Sequence, residues 1–483
     1  MLTMEDETKQ RLGWTERIGY GLGDLASNLY FQMFNMFLLY YYTDVFGIPA
    51  ATVATIFLLS RVWDAVNDPV MGIIADRTRT RWGSFRPFIL WFAIPFGVGG
   101  YAMFYSPDLS ATMKVVYAAV TYTIVGMLYT AVNIPYSGLM AVISHSSDER
   151  ARVSAIRFIF AFLGGWVIAQ FLPPLKDSLG GGDEVVGFRH TMGLFAGLAA
   201  VLFLVTFATT RERVAPESGK TSRKQLGRDI ATLVRTRPWL VLVVAGLVNL
   251  TAVAIKNGSN IYYFKYITGD DSEVASFGSG GWMAMIAGVM CTGFFIRFFE
   301  KRKLIIWLTI LGGIGMALPF WIDPAARISM PGLETGPYQV FGLKMTSVVF
   351  IPENPRWIYL VNLAGSFLAG PPVALVWTMY TDVAAYIRWK HDRRITGLVV
   401  SAAVFSQKFG MAFGGWFAGM LLFWCGFQAN MEQNETSKLA ILLLFSLIPA
   451  VLIVLQGAAM FFYPLTDAEM RRIERQLAGE PDT

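Results

Sequence analysis

The 483-residue chain is 54% hydrophobic and only 15% charged, with a mean hydropathy of +0.48. These values exclude an ordinary soluble protein and point to a bundle of membrane-spanning helices. Two cysteines, Cys291 and Cys425, lie inside apolar runs, and the histidines His145, His190 and His391 fall in loops or at run ends, which excludes a disulfide framework and an intramembrane histidine cluster.

The first residues, MLTMEDETKQRLGWTER, are polar and mixed in charge, and the apolar run after them is too long for a signal h-region, so no cleavable signal peptide is expected. Twelve apolar runs follow, at about 17–42, 51–75, 87–105, 114–142, 153–175, 190–209, 239–266, 275–297, 303–322, 357–385, 397–425 and 438–463. An even number puts both termini on one side. Loops on that side (76–86, 143–157, 211–238, 297–303 and 386–394) carry 23 Lys and Arg, and the opposite loops carry seven. That side is therefore expected to be cytoplasmic, and the net charge of +6 reflects topology rather than affinity for nucleic acid.

The expected architecture is all-α and integral to the membrane: a six-helix half over 1–210, a cytoplasmic linker over 211–238, a second six-helix half over 239–464 and a cytoplasmic tail over 465–483. Such a 6+6 layout suits a transporter built from parallel repeats. No close sequence repeat relates the halves, and the 323–356 loop suggests no function of its own.

The second run carries Arg61, Asp64, Asn67 and Asp68 within FLLSRVWDAVNDPVMGIIADRTRTRWGSFRP. On a helix Asp64 and Asp68 share a face with Asn67 beside them. Two carboxylates at membrane depth cost about 2.5–3.5 kcal/mol each, so they need a partner or a purpose. Arg61 could neutralise one of them, but not both; a small cation held by hard oxygen ligands would answer to the pair. The arginine-rich turn that follows reads either as positive-inside charge alone or as a gate whose arginines meet carboxylates and helix ends.

Further polar residues sit at helical spacing: Asp24, Asn28, Gln32 and Asn35 in run one; Thr130, Asn133 and Ser137 in run four; Asn249, Lys256, Asn260 and Tyr263 in run seven. Arg157 opens run five and Lys408 lies deep in run eleven. Singly, such residues serve as interhelical glue worth about 0.6 kcal/mol each. Together they suggest a water-accessible cavity for a polar solute, and amides, hydroxyls and rings suit a sugar.

RVWDAVNDPVMGIIADRTRTRWGSFRPFIL, GYGLGDLASNLYFQMFNMFLLYYYTDVFG and YTAVNIPYSGL strongly resemble the glycoside–pentoside–hexuronide:cation symporters of the major facilitator superfamily, over nearly the whole chain. The resemblance implies twelve helices in the bacterial inner membrane, action as a monomer, and no enzymatic activity. In the melibiose carriers of that family two helix-two aspartates, the asparagine between them and a helix-four threonine hold the cation; these correspond to Asp64, Asn67, Asp68 and Thr130, an oxygen set that suits Na+, with H+ also used in the family. The family's sugar positions fall on Asn28, Asn133, Ser137, Arg157 and Lys408. Two carboxylates of the melibiose carriers are thus asparagines here and a stacking tryptophan is Ser137, which argues against a galactoside. Lys256 adds a positive charge that could receive an anionic sugar such as a hexuronide, or pair with Asp382 or the cation site.

The resulting expectation is a symporter that imports a sugar or glycoside (pentoside, hexuronide or oligosaccharide) with Na+ or H+ by alternating access. A cation-coupled lysolipid carrier and a sugar sensor that moves nothing are the alternatives.

Overall fold

Apolar runs bounded by caps and turns become helices in the computed structural model, which describes residues 12–144, 147–213, 223–334, 338–340, 343–345, 349–393 and 395–478. Their contacts group into two units: 1–219 with 335–348, and 220–334 with 349–483.

In the first unit, α1 (Trp14–Met36) continues through a helical turn at Leu38–Tyr40 and a π-helical turn at Tyr41–Val45. After it come α2 (Ala50–Arg77), α3 (Arg86–Met103), α4 (Ala111–Val142), α5 (Ser147–Gly180) and α6 (Glu184–Thr209). Local chemistry sets several starts. Pro87 occupies the first turn of α3, where its missing N–H costs nothing. The Asp183 carboxylate accepts from the amides of Val185 and Val186 to cap α6. Helix α1 packs along α5 and α6, while α2 packs on α4.

The second unit begins with a helix inside the expected linker. Within 211–238 the chain forms α7 (Arg223–Arg235), which buries Leu233 and joins Asp229 to Arg393 in an ion pair. Its apolar residues were too few to register as a run; Leu233 and Asp229 are buried, while Ile230 and Val234 are exposed. Next are α8 (Arg237–Tyr263), α9 (Glu273–Phe295), α10 (Lys301–Ala317), α11 (Trp357–His391), α12 (Thr396–Trp424), α13 (Glu435–Phe445) and α14 (Leu447–Ala459). The last expected run is thus broken at Ser446.

The tail also folds, as α15 (Asp467–Ala478). Its signal is a capping box: the Glu469 amide donates to Thr466 Oγ1 at 3.2 Å, and the Thr466 amide donates to Glu469 Oε2 at 2.8 Å. Met470 and Ile473 join the unit's core with Leu242, Ile305, Tyr380 and Val383. Gly410 and Gly414 of α12 face the Leu247 and Thr251 carbonyls of α8 so closely that a Cβ at either position would collide with backbone, the small-residue contact by which helices approach in lipid.

Between α10 and α11 are four short strands, β1 (Leu333–Glu334), β2 (Tyr338–Val340), β3 (Leu343–Met345) and β4 (Val349–Ile351), paired antiparallel as β1–β4 and β2–β3. Among the described residues, eight helices are long and apolar enough to cross a membrane. In α2 a shorter apolar stretch covers Ala50–Ser60; the charged segment beyond it is where the candidate site begins.

Candidate functional site

Helix α2 carries Asp64, Asn67 and Asp68, and α4 packs beside it. Asp64 is buried, with 8% of the residue exposed, and Asn67 and Asp68 are half-buried. On α4, Thr130 is buried and its Oγ1 donates to Asp68 Oδ1 at 2.7 Å. One turn earlier Gly126 leaves room in front of Asp64, since a Cβ there would lie 3.6 Å from Oδ1. Asp64, Asp68 and the Thr130 hydroxyl therefore gather on the α2–α4 seam. Their donor set, two carboxylates with a hydroxyl and the Asn67 amide nearby, is all hard oxygen and fits a small monovalent cation. The side chain of Arg61, the candidate neutralising partner, lies outside the described residues.

Beside this seam runs the polar stripe of α1. Asn28 Nδ2 donates to the Asp24 carbonyl at 2.9 Å, and Gln32 Nε2 to Asn28 Oδ1 at 3.5 Å. Asn133 of α4 donates to Ser27 Oγ at 3.0 Å and to the Tyr129 hydroxyl at 3.3 Å, so α1 and α4 meet through neutral groups. Ser137, one turn on, is exposed. Arg157 of α5 forms an ion pair with buried Asp24, Nε to Oδ1 3.1 Å, and its guanidinium carbon lies 5.3 Å from the Tyr136 ring centre. Tyr20 and Tyr136 stack at 4.6 Å and each hydroxyl donates to the other's backbone carbonyl, at 3.0 and 2.7 Å, tying α1 to α4 beneath the pair.

The Asp24–Arg157 pair was not predicted. Asp24 read only as the first member of a stripe, and the signal that could have found its partner was charge balance: a buried carboxylate in one apolar run and an arginine in another.

In the second unit, Lys256 of α8 is buried with its Nζ 3.1 Å from the Phe445 ring centre and 5.2 Å from that of Phe277. Tyr263 stacks on Phe445 at 3.9 Å. The expected alternative of a Lys256–Asp382 pair is not realised: Asp382 Oδ2 accepts from Lys301 Nζ at 3.1 Å, and Lys256 is held by ring faces instead. Lys408 is half-buried on α12. Asn249 donates to Gln456 Oε1 at 2.8 Å, an interhelical contact of the glue type.

The arginine-rich turn is organised by a carboxylate. Glu212 accepts from the amides of Ser84 (2.8 Å), Phe85 (2.7 Å) and Arg86 (2.9 Å), and so caps α3 from a distant segment. Gly83, at φ +109°, leaves the space this carboxylate fills. Arg86 donates to the Phe207 carbonyl at 2.7 Å, and Arg79 to Ser84 Oγ at 2.8 Å. Nearby, Arg213 forms a two-pronged contact with Glu16 at 2.7 and 2.8 Å, and these hydrogen bonds hold its guanidinium above the usual arginine range. This turn is thus tied to helix ends and carboxylates within its own unit.

Residues 19–467 match the family described as MFS/sugar transport protein. The chain is 33% identical over 468 residues to YagG of Escherichia coli (strain K12), assigned as a glycoside/cation symporter, covering 97% of this chain and 95% of that one. It is 33% identical to the isoprimeverose transporter of Lactiplantibacillus pentosus, over 96% of this chain and 91% of that one. Among solved structures, that of the D-xylose-proton symporter has the same fold, with a TM-score of 0.62 at 13% identity over 93% of this chain and 98% of that one.

Proposed function

We propose that this chain, which belongs to the MFS/sugar transport protein family, is a symporter that imports a sugar or glycoside together with Na+ or H+ by alternating access. It is a multi-pass inner-membrane transporter and not an enzyme. The proposed topology is twelve helices with both termini cytoplasmic: halves over 1–210 and 239–464, a linker over 211–238 and a tail over 465–483, acting as a monomer. The division of contacts near residue 219 supports the two halves.

The single observation that carries the coupling is the Thr130 hydroxyl directed onto Asp68 beside buried Asp64. We assign the cation to Asp64, Asn67, Asp68 and Thr130. With the cation bound, the charge at the seam is partly cancelled, which lowers the cost of enclosing it. Sugar contacts are assigned to Asn28, Asn133, Ser137 and Arg157 in the first unit, with Lys256 and Lys408 in the second. Cation and sugar then raise each other's affinity by the same factor, since linkage is reciprocal. A membrane potential of about 100 mV supplies about 2.3 kcal/mol per cation, enough for about a 50-fold sugar gradient.

Uptake of labelled sugar into vesicles tests this reading. Asp64→Asn should abolish accumulation against a gradient; cation-driven accumulation by that variant would sink the assignment, and absence of uptake by wild type with sugar still bound would leave a sensor. The neutral amide and hydroxyl stripe of α1 and α4 supports a sugar over a lysolipid, whose chains need an apolar surface.

A further inference from the structure

A guanidinium at a sugar-binding face would ordinarily select for an acid, because a carboxylate on the ligand would complete a charge-assisted, two-pronged pair. In this protein that charge is already answered. Arg157 lies 3.1 Å from Asp24 Oδ1, and the carboxylate is nearly enclosed, its side chain 7% exposed against 26% for Arg157. The remaining guanidinium N–H groups are donors without a net charge behind them. The rest of the face is neutral as well: Ser27, Asn28, Tyr129 and Asn133 hydrogen-bond among themselves and to backbone.

A second observation concerns hydrogen-bonding sense rather than charge. Gln32 is buried, its amide nitrogen is directed to Asn28, and its Oε1 has no hydrogen-bond partner among the described residues. A buried acceptor left open costs about 1–3 kcal/mol, and only a donor satisfies it. A sugar hydroxyl is such a donor, whichever group the ring carries at its last carbon, so this acceptor supports a sugar on the face while Arg157 bears on its charge. Of the two lysines also assigned to the sugar, Lys256 has its ammonium on the faces of Phe445 and Phe277, and Lys408 is half-buried on α12.

We propose that Asp24 sets the charge class of the substrate: by neutralising Arg157 it makes this face a receiver of uncharged glycosides rather than hexuronides, an inference that rests on the sugar reading of the face. Asp24 is then a positioning and specificity residue that acts through Arg157.

The test is equilibrium binding to the purified full-length protein with matched sugars that differ only in carrying CH2OH or carboxylate at the last ring carbon: methyl glucoside against methyl glucuronide, and the same pair in the galacto series. Wild type should bind the neutral member about tenfold or more tightly, since the acid brings a charge with no free partner. Asp24→Asn frees Arg157 and should shift the ratio toward the acid by about tenfold or more. A role of Asp24 in folding alone would weaken both sugars equally and leave the ratio unmoved, which overturns the inference. Wild type that prefers the glucuronide also overturns it, and loss of that preference in Lys256→Met would place the anion contact at Lys256. If Asp24→Asn does not fold, the wild-type ratio alone decides. Binding of none of the four, with a pentoside control also silent, would bring down the sugar reading itself and this inference with it.

Discussion

Thr130 illustrates how much one hydroxyl can decide. It spends its hydrogen on Asp68 Oδ1, which leaves its lone pairs as acceptors. Thr130→Val keeps the shape and removes that oxygen. We predict about tenfold weaker Na+ affinity, the loss of about one hydrogen bond to a charged group, with folding preserved; titration of Na+-dependent sugar binding measures it. The α2 carboxylates were legible in the sequence because charge inside an apolar run is rare enough to stand out. Asp24–Arg157 was not, because the partners are far apart in the chain and each had a simpler explanation alone: a stripe residue, and an arginine near a helix start. Lys256 shows the converse, since an acidic partner was sought and aromatic faces took its place.

Elements depend on contacts that sequence periodicity does not report. Glu212 caps α3 with three hydrogen bonds from beyond α6, and no local pattern around Phe85 announces it. Glu212→Ala should cost about 1–2 kcal/mol, as lost caps do, and lower the thermal midpoint of the purified protein, while sugar affinity changes little. An unchanged midpoint would mean that water replaces the carboxylate there. Gly414 is the packing counterpart. Gly414→Val would drive a side chain into the Thr251 carbonyl of α8, so we predict poor membrane yield and an early thermal transition, whereas the same change at Gly197, where a Cβ meets nothing, should be tolerated. The helices of the linker and tail escaped notice for the same reason. Their apolar residues are few, although the capping box at Thr466 and Glu469 was readable and marks the start of α15.

At the scale of the molecule, apolar run lengths and the asymmetry of Lys and Arg carry the architecture, because the bilayer admits few alternatives to a helix bundle. They say nothing about which solute crosses, nor about side-chain pairings such as Asp24–Arg157. The central claim is coupling between the α2–α4 seam and the sugar-binding face, and it is tested most directly by sugar affinity measured with and without Na+ at fixed pH, in wild type and in Asp68→Asn. We predict that Na+ raises the affinity of wild type for its sugar and that this rise vanishes in Asp68→Asn. A steep pH dependence without a Na+ effect would assign H+ to the same carboxylates. Sugar affinity indifferent to both Na+ and pH, or a full Na+ response in Asp68→Asn, would contradict the account.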